Sequence, residues 1–492
     1  MKGRYIISVD QSTQGTKGLL FDRNGTLMCR IDVAHKQIIN DLGWVSHDAE
    51  EIYENVIKVI RGVLIKANVS PEQVVAIGIS NQRETSVIWD KTTGLSLNKA
   101  IVWQCARATE ICERDEILNN ADFIFKSTGI KLSPYFPAAK IAWLLENTAG
   151  AKEKQISGEI AHGTMDSYLV YRLTNGKCYA TDYSNASRTQ LFDIFNLKWD
   201  EQICKIFGIR PEDLPEVMDS NACFGYTDCE GLFSEPIPIH SVLGDSHGAL
   251  FGQDCRTKGM TKATYGTGSS IMMNIGEKPI HSKNGLVTSL AWGIDGKVNY
   301  VLEGNLNYTG AVITWLKDDM QLIESPGDTE ALAKEAIKDD ELYLVPAFSG
   351  LGAPYWNSHA KAAIVGMDRT TKRKELVRAA LECIAYQITD IINAMKEDSG
   401  VELSELRVDG GPTKNEYLMQ FQSDIAHCRV LSPNLEELSG IGAAYMAGLS
   451  VELWDESIFS KMKRICHEPA MDKRIARKKY EGWLTAVKKT IS

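Results

Sequence analysis

Residues 5–20, YIISVDQSTQGTKGLL, constrain this chain more than any other stretch. They read as a strand, a turn rich in Gly, Ser and Thr, and a second strand, with Asp10 ending the first strand. A hairpin of this kind can hold a chain of phosphates with backbone N–H groups and short hydroxyls. Asp10 then stands where a divalent ion bridging phosphates needs a carboxylate. Ser12, Thr13, Gln14 and Thr16 supply polar groups, Gly15 and Gly18 supply backbone freedom, and Lys17 adds charge. The same design returns at 260–273, MTKATYGTGSSIMM, whose turn holds Gly266, Thr267, Gly268, Ser269 and Ser270. Two copies of one phosphate-gripping hairpin predict a nucleotide held between two related domains. Taken alone, either copy also reads as an exposed polar turn.

Strand-like and helix-like patterns alternate along the chain, which predicts α/β layering. The spacing predicts a helix over 48–66: Asp48 caps it, Glu51 follows three residues later, and Ile52, Val56, Ile60, Val63 and Leu64 share one face. Residues 74–80 form an apolar run that reads as a buried strand, and a short strand at 86–89 follows. In the second half a helix is expected over 375–396, then a strand at 406–409 running into the Gly410–Gly411 turn. The second hairpin places the domain boundary near residue 253, giving domains 1–253 and 254–492.

At 492 residues the chain has room for about two to four domains. With 54 basic and 64 acidic residues the net charge is −10, and no Lys/Arg-rich run stands out, so nucleic acid is not expected as a partner. The apolar run at 5–9 is too short for a signal peptide, and no stretch reaches the roughly 20 apolar residues of a membrane span. Eleven cysteines without a C-x-x-C pair read as reduced thiols of a cytoplasmic enzyme. No G-x-x-x-x-G-K-[ST] occurs, and no G-x-G-x-x-G opens a helix after a strand, so P-loop and dinucleotide chemistry find no support.

Four other segments carry chemistry. Residues 81–85, NQRET, follow a strand directly; Arg83 and Glu84 offer five N–H donors and a carboxylate suited to several hydroxyls, or else form a surface ion pair. Trp103, in AIVWQC at 100–105, can stack on the apolar face of a polyol or belong to the core. In VLGDSHG at 242–248, Asp245 can accept a proton from a substrate hydroxyl or cap a helix, while His247 reads as structural. In VDGGPTKN at 408–415, paired glycines let the backbone approach a ligand, or simply turn strand into helix.

In this order and spacing the segments resemble the FGGY carbohydrate kinases, and within them the glycerol kinase branch. The likeness runs from Asp10 to about Leu449 and takes in 135–147 (YFPAAKIAWLLEN), 181–192 (TDYSNASRTQLF), 345–356 (VPAFSGLGAPYW) and 440–448 (GIGAAYMAG). It implies an α/β fold of two actin-like, ribonuclease-H-like domains with the active site in the cleft between them. It implies ATP, mainly on the second domain, a small polyol or sugar, mainly on the first, and a homodimer or homotetramer. By position, Asp245 matches the family's catalytic base and Asp10 the carboxylate that holds Mg2+. Thr13 and Gln14 match the lining of the γ-phosphate, and Thr267 and Gly268 match phosphate contacts. Gly310, Gly411 and Asn415 match positions around the nucleotide. Arg83, Glu84, Trp103, Tyr135 and Asp245 match the polyol pocket.

Two positions depart from the glycerol kinase pattern. Asp245-Ser246-His247 stands where Asp-Gln-Gln is usual, and Ser270 where a Phe is usual. Both serines remove bulk beside the substrate's carbon chain, which predicts a polyol or ketose longer than glycerol. The competing expectations are glycerol kinase proper and, in a different class, a non-catalytic actin-like ATP-binding protein.

Overall fold

Each of the two hairpins becomes the centre of its own sheet. The computed structural model describes residues 4–336 and 341–492. In the first hairpin Tyr5–Gln11 pairs antiparallel with Gly15–Phe21, setting Asp10 opposite Lys17. Leu27–Ala34 joins outside as a third antiparallel strand. On the other side Val74–Asn81 pairs parallel to Tyr5–Gln11, and Ile237–Gly244 pairs parallel to Val74–Asn81. Both faces of these inner strands are covered, which is why they read as unbroken apolar runs.

The second sheet repeats this plan. Met260–Tyr265 and Ser269–Gly276 form the hairpin, Lys297–Leu306 adds antiparallel beyond it, and Glu405–Asp409 and Val430–Pro433 add parallel on the opposite side. The predicted helices lie in place, as Ala49–Ala67 and Arg373–Ser399. Asp48 caps the first, accepting from the Glu50 N–H at 3.1 Å. The capping box expected of Glu51 does not form; its carboxylate accepts the Lys36 N–H instead, because strand Leu27–Ala34 brings that backbone within 3.2 Å. Among the described residues no helix is long and apolar enough to cross a membrane.

Where the two halves meet, helix Asp245–Gly252 crosses helix Leu438–Ser450 backbone to backbone. A Cβ on Gly442 would run into the Gly248 carbonyl, so the crossing admits only glycine there. Ser8 donates to the Gly440 carbonyl at 2.7 Å, which ties this C-terminal helix to the first sheet. The packing puts Asp245, first residue of its helix, at the mouth of the cleft.

One buried carboxyl gives the fold a pH dependence. Asp390, on Arg373–Ser399, accepts from Tyr480 Oη (2.6 Å) and Trp483 Nε1 (2.9 Å) and so pins the C-terminal helix Lys473–Ile491. Burial pushes its pKa up from 3.8 to about 7. A raised acid stabilises the fold below its unfolded value and loses that contribution as pH climbs through the folded value. Wild-type stability relative to Asp390→Asn is therefore expected to fall by about 1.4 kcal/mol per pH unit between about pH 4 and pH 7. Paired thermal melts of both proteins across that window check it; parallel curves would refute it.

Candidate active site

Charged residues buried in mid-strand demand partners, and the partners here come from distant parts of the chain. Arg83 follows strand Val74–Asn81 and is almost fully buried. Its Nη1 and Nη2 donate to both oxygens of Glu303, on Lys297–Leu306, at 2.9 and 2.8 Å. Arg188 closes a ring, with Nε donating to Glu84 at 2.6 Å and Nη1 lying 2.8 Å from Glu303. Burial opposes the Arg83 charge, but Glu303 and Glu84 outweigh it and hold the guanidinium well above its ordinary range. Burial likewise opposes the Glu303 charge, and Arg188 and Arg83 overcome it, holding that carboxylate well below its ordinary range. Arg83, Arg188 and Glu303 thus stay ionised although buried. Glu84 is held at φ 59°, a left-handed conformation costly for a residue with a Cβ and one that concentrates at functional sites.

The Glu303 bonds leave the Arg83 Nε–H directed at the cleft. This Nε lies 3.3 Å from Asp245 Oδ1, so the carboxylate is aimed from two sides, by this guanidinium and by the Ser246 N–H at 2.6 Å. Ser270 Oγ donates to Glu303 at 3.3 Å. Beside this group, Trp103 Nε1 donates to Thr13 Oγ1 at 2.9 Å, and the Trp103 ring meets Tyr135 edge-on at 5.7 Å. That bond joins the first hairpin's turn to the aromatic wall.

A cavity of about 800 Å³ opens in front of Asp245, with Asp10, Lys17, Lys262, Asp409 and Gly411 on its walls. Asp10 accepts from Ser80 Oγ at 3.0 Å and lies 3.9 Å from Lys17. Burial pushes Asp10 up to about 6; Lys17 opposes the rise, while Glu437 and Asp245 add to it. On the far side, Gly310 donates its N–H to the Gly266 carbonyl at 2.9 Å, locking the second hairpin to helix Gly310–Thr314. A Cβ on Gly268 would strike the Leu306 carbonyl, so this turn is built from glycine by necessity.

The structure therefore brings Arg83, Glu84, Asp245 and Ser270 into one connected group, sets Trp103, Tyr135 and Thr13 beside it, and puts Asp10, Ser246 and Gly411 on the cavity wall. Gln14 has an exposed side chain, Thr267 is also exposed, Gly310 meets Gly266 at the turn of the second hairpin, and Gly268 in that turn lies against Leu306. Asn415 does structural work as well: its side chain caps helix Glu416–Ala426 and donates to Thr329 at 3.0 Å. Two plainer readings fail. Arg83 and Glu84 are no surface pair, since both are buried. Asp245 is not a helix cap, because Gly244 occupies that position. Trp103 is half-buried and packs against the core of the first domain. His247 is fully buried, and its ring nitrogens have no hydrogen-bond partner among the described residues.

Profiles of the FGGY family of carbohydrate kinases match the chain twice, the N-terminal domain over residues 5–252 and the C-terminal domain over 261–451. The chain belongs to the FGGY family of carbohydrate kinases. It is 46% identical over 491 residues to a glycerol kinase of Alkaliphilus oremlandii, covering 99% of this chain and 97% of that one. A glycerol kinase of Caldanaerobacter subterraneus is 45% identical, with 99% of each chain covered. The structure of Plasmodium falciparum glycerol kinase with ADP superposes with a TM-score of 0.93 at 35% identity, covering 100% of this chain and 99% of that one. A xylulose kinase of Lactobacillus acidophilus shares the fold at a TM-score of 0.87 and 21% identity, covering 99% and 98%. This FGGY protein is an ATP-dependent carbohydrate kinase built of two actin-like, ribonuclease-H-like domains with the active-site cleft between them.

Proposed function

We propose that the enzyme transfers the γ-phosphoryl group of ATP to a terminal hydroxyl of a small polyol or ketose, with Asp245 as the base. The reading rests on Asp245 itself, whose carboxylate is held by Arg83 and faces the cavity that Asp10 and Gly411 also line. Phosphoryl transfer asks for positioning and charge neutralisation more than covalent chemistry. Asp245 orients the acceptor hydroxyl and takes its proton as the oxygen becomes bonded to phosphorus. Arg83 and Glu84 hold neighbouring hydroxyls, and Trp103 and Tyr135 cover the carbon chain. Thr13, Gln14, Thr267 and Gly268 donate to phosphate oxygens, while Gly310, Gly411 and Asn415 surround the rest of the nucleotide. On this reading residues 1–253 carry the polyol side and 254–492 the nucleotide side.

Asp10 fits a hard cation, being a buried carboxylate incompletely compensated by Lys17. Among the described residues no cluster of three or more His, Cys, Asp or Glu is arranged for an ion, so Asp10 would hold Mg2+ together with phosphate and water oxygens. Bound there, the ion supplies neutralising charge to the transferred group.

Ser246 and Ser270 favour a substrate longer than glycerol. Ser246's hydroxyl has no hydrogen-bond partner among the described residues, and Ser270's is bonded only to Glu303, so both remain able to meet further hydroxyls. A panel of glycerol, erythritol, threitol, pentitols, xylulose and ribulose, ranked by kcat/KM with ATP, tests this. A four- or five-carbon substrate is expected to lead glycerol by about tenfold or more, because unpaired polar groups penalise the shorter ligand. Glycerol leading by that margin would establish the second reading, glycerol phosphorylation, which the relatives at 45–46% identity favour.

A further inference from the structure

Lys262 is a cation with no assigned partner. It lies on Met260–Tyr265 and is fully buried, yet its side chain forms part of the cavity wall between Asp245 and Asp409. Strand alternation puts Lys262 and Thr264 on one face, and the parallel pairing sets Thr264 opposite Asp409. The Lys262 ammonium makes one hydrogen bond, to Thr264 Oγ1 at 3.0 Å. Among the described residues no carboxylate lies within 4.0 Å of it; burial, helped by Arg83, draws its pKa down, and Asp409, Glu303 and Asp245 oppose this only from longer range. The other cations on this wall are committed: Lys17 pairs with Glu437, and Lys414 with Glu436 at 3.1 Å. An ammonium with three donors, one of them used, is expensive to bury unless an anion completes it.

We propose that Lys262 is a phosphate-binding residue, its two free N–H donors directed at the oxygens of the group transferred to the acceptor held by Asp245. This inference rests on the kinase reading of the same cleft and adds a residue to it. Lys262 gives the transferred group a positive partner from the second hairpin's strand, facing Asp10 on the first. No bond to Lys262 forms or breaks; it carries charge that is most valuable when negative charge grows on the phosphoryl oxygens.

Three variants test it, with Lys262→Met and Lys262→Gln removing the charge and Lys262→Arg retaining it. Lys262→Met is expected to lower kcat by about 100- to 1000-fold, leave KM for the polyol within about threefold, and keep or raise the melting temperature. The Kd of a non-hydrolysable ATP analogue should weaken by about tenfold, and that of adenosine by less than about twofold, since only the former brings phosphates. Lys262→Arg should recover at least about a tenth of wild-type kcat. A folded Lys262→Met with kcat and analogue Kd within about threefold of wild type overturns the proposal. So does Lys262→Arg falling as low as Lys262→Gln, the comparison that decides if the Met variant does not fold. Asp245→Asn, assayed in parallel, separates the two levels: an active Asp245→Asn sinks Asp245 as the base of this cleft, whereas an inactive one beside an active Lys262→Met sinks the Lys262 assignment alone.

Discussion

Asp245→Asn is expected to lower kcat by about 10²- to 10⁴-fold, the usual cost of removing a positioned base. Asparagine keeps the size and the contact with Arg83 but cannot take the acceptor's proton. Arg83 retains both bonds to Glu303, so the surrounding ring survives the change. The loss should fall on kcat, with KM for polyol and ATP moving by about threefold at most. Initial rates over a grid of both substrates measure the split, and thermal melts confirm that the variant is folded. Turnover kept within about tenfold would show that another group removes the proton.

Glu303→Ala should do damage of a different kind. Glu303 is fully buried and neutralises both Arg83 and Arg188. Deleting it strands two guanidinium groups away from water, which costs about 3–5 kcal/mol. Arg83 also loses the anchor that aims its Nε at Asp245, so kcat/KM should fall by about 100-fold in whatever fraction stays folded. Glu303→Asp, which keeps the charge but shortens the reach, should recover stability more than activity. Denaturant melts paired with rates on the same preparations separate the two effects, and a Glu303→Ala protein as stable as wild type would refute the argument.

The contrast between Asp245 and Glu303 marks what could be read from the sequence. Asp245 sits between glycines after an apolar run, a local pattern that advertises itself. Both hairpins and the helix at Ala49–Ala67 are local in the same sense, since spacing and turn residues are contained in short windows. Glu303 meets Arg83 across 220 positions, and Thr13 meets Trp103 across 90. Pairings of that kind depend on how the sheets are assembled, which no window contains. A signal for Glu303 did exist, because a carboxylate that directly follows the apolar run 300–302 in a strand must be paired if it is buried. Lys262 and Arg188 carry similar signals, one inside a strand and the other inside a segment already matched to the family. Glu51 errs in the opposite direction: its spacing suited a capping box, but the Lys36 backbone, just past strand Leu27–Ala34, claimed the side chain.

The glycine crossing of Asp245–Gly252 over Leu438–Ser450 has a mechanical consequence. At Gly442 the backbones touch with no side chain between them, so this part of the crossing has nothing to slide or repack. A hinge motion that narrowed the cleft would turn about it as a lever turns on its fulcrum. Asp245, at the near end of one of those helices, would then travel little while the outlying hairpin turns swept further, so that on the proposed reading the base would stay nearly still and the phosphate donor would be swung towards it.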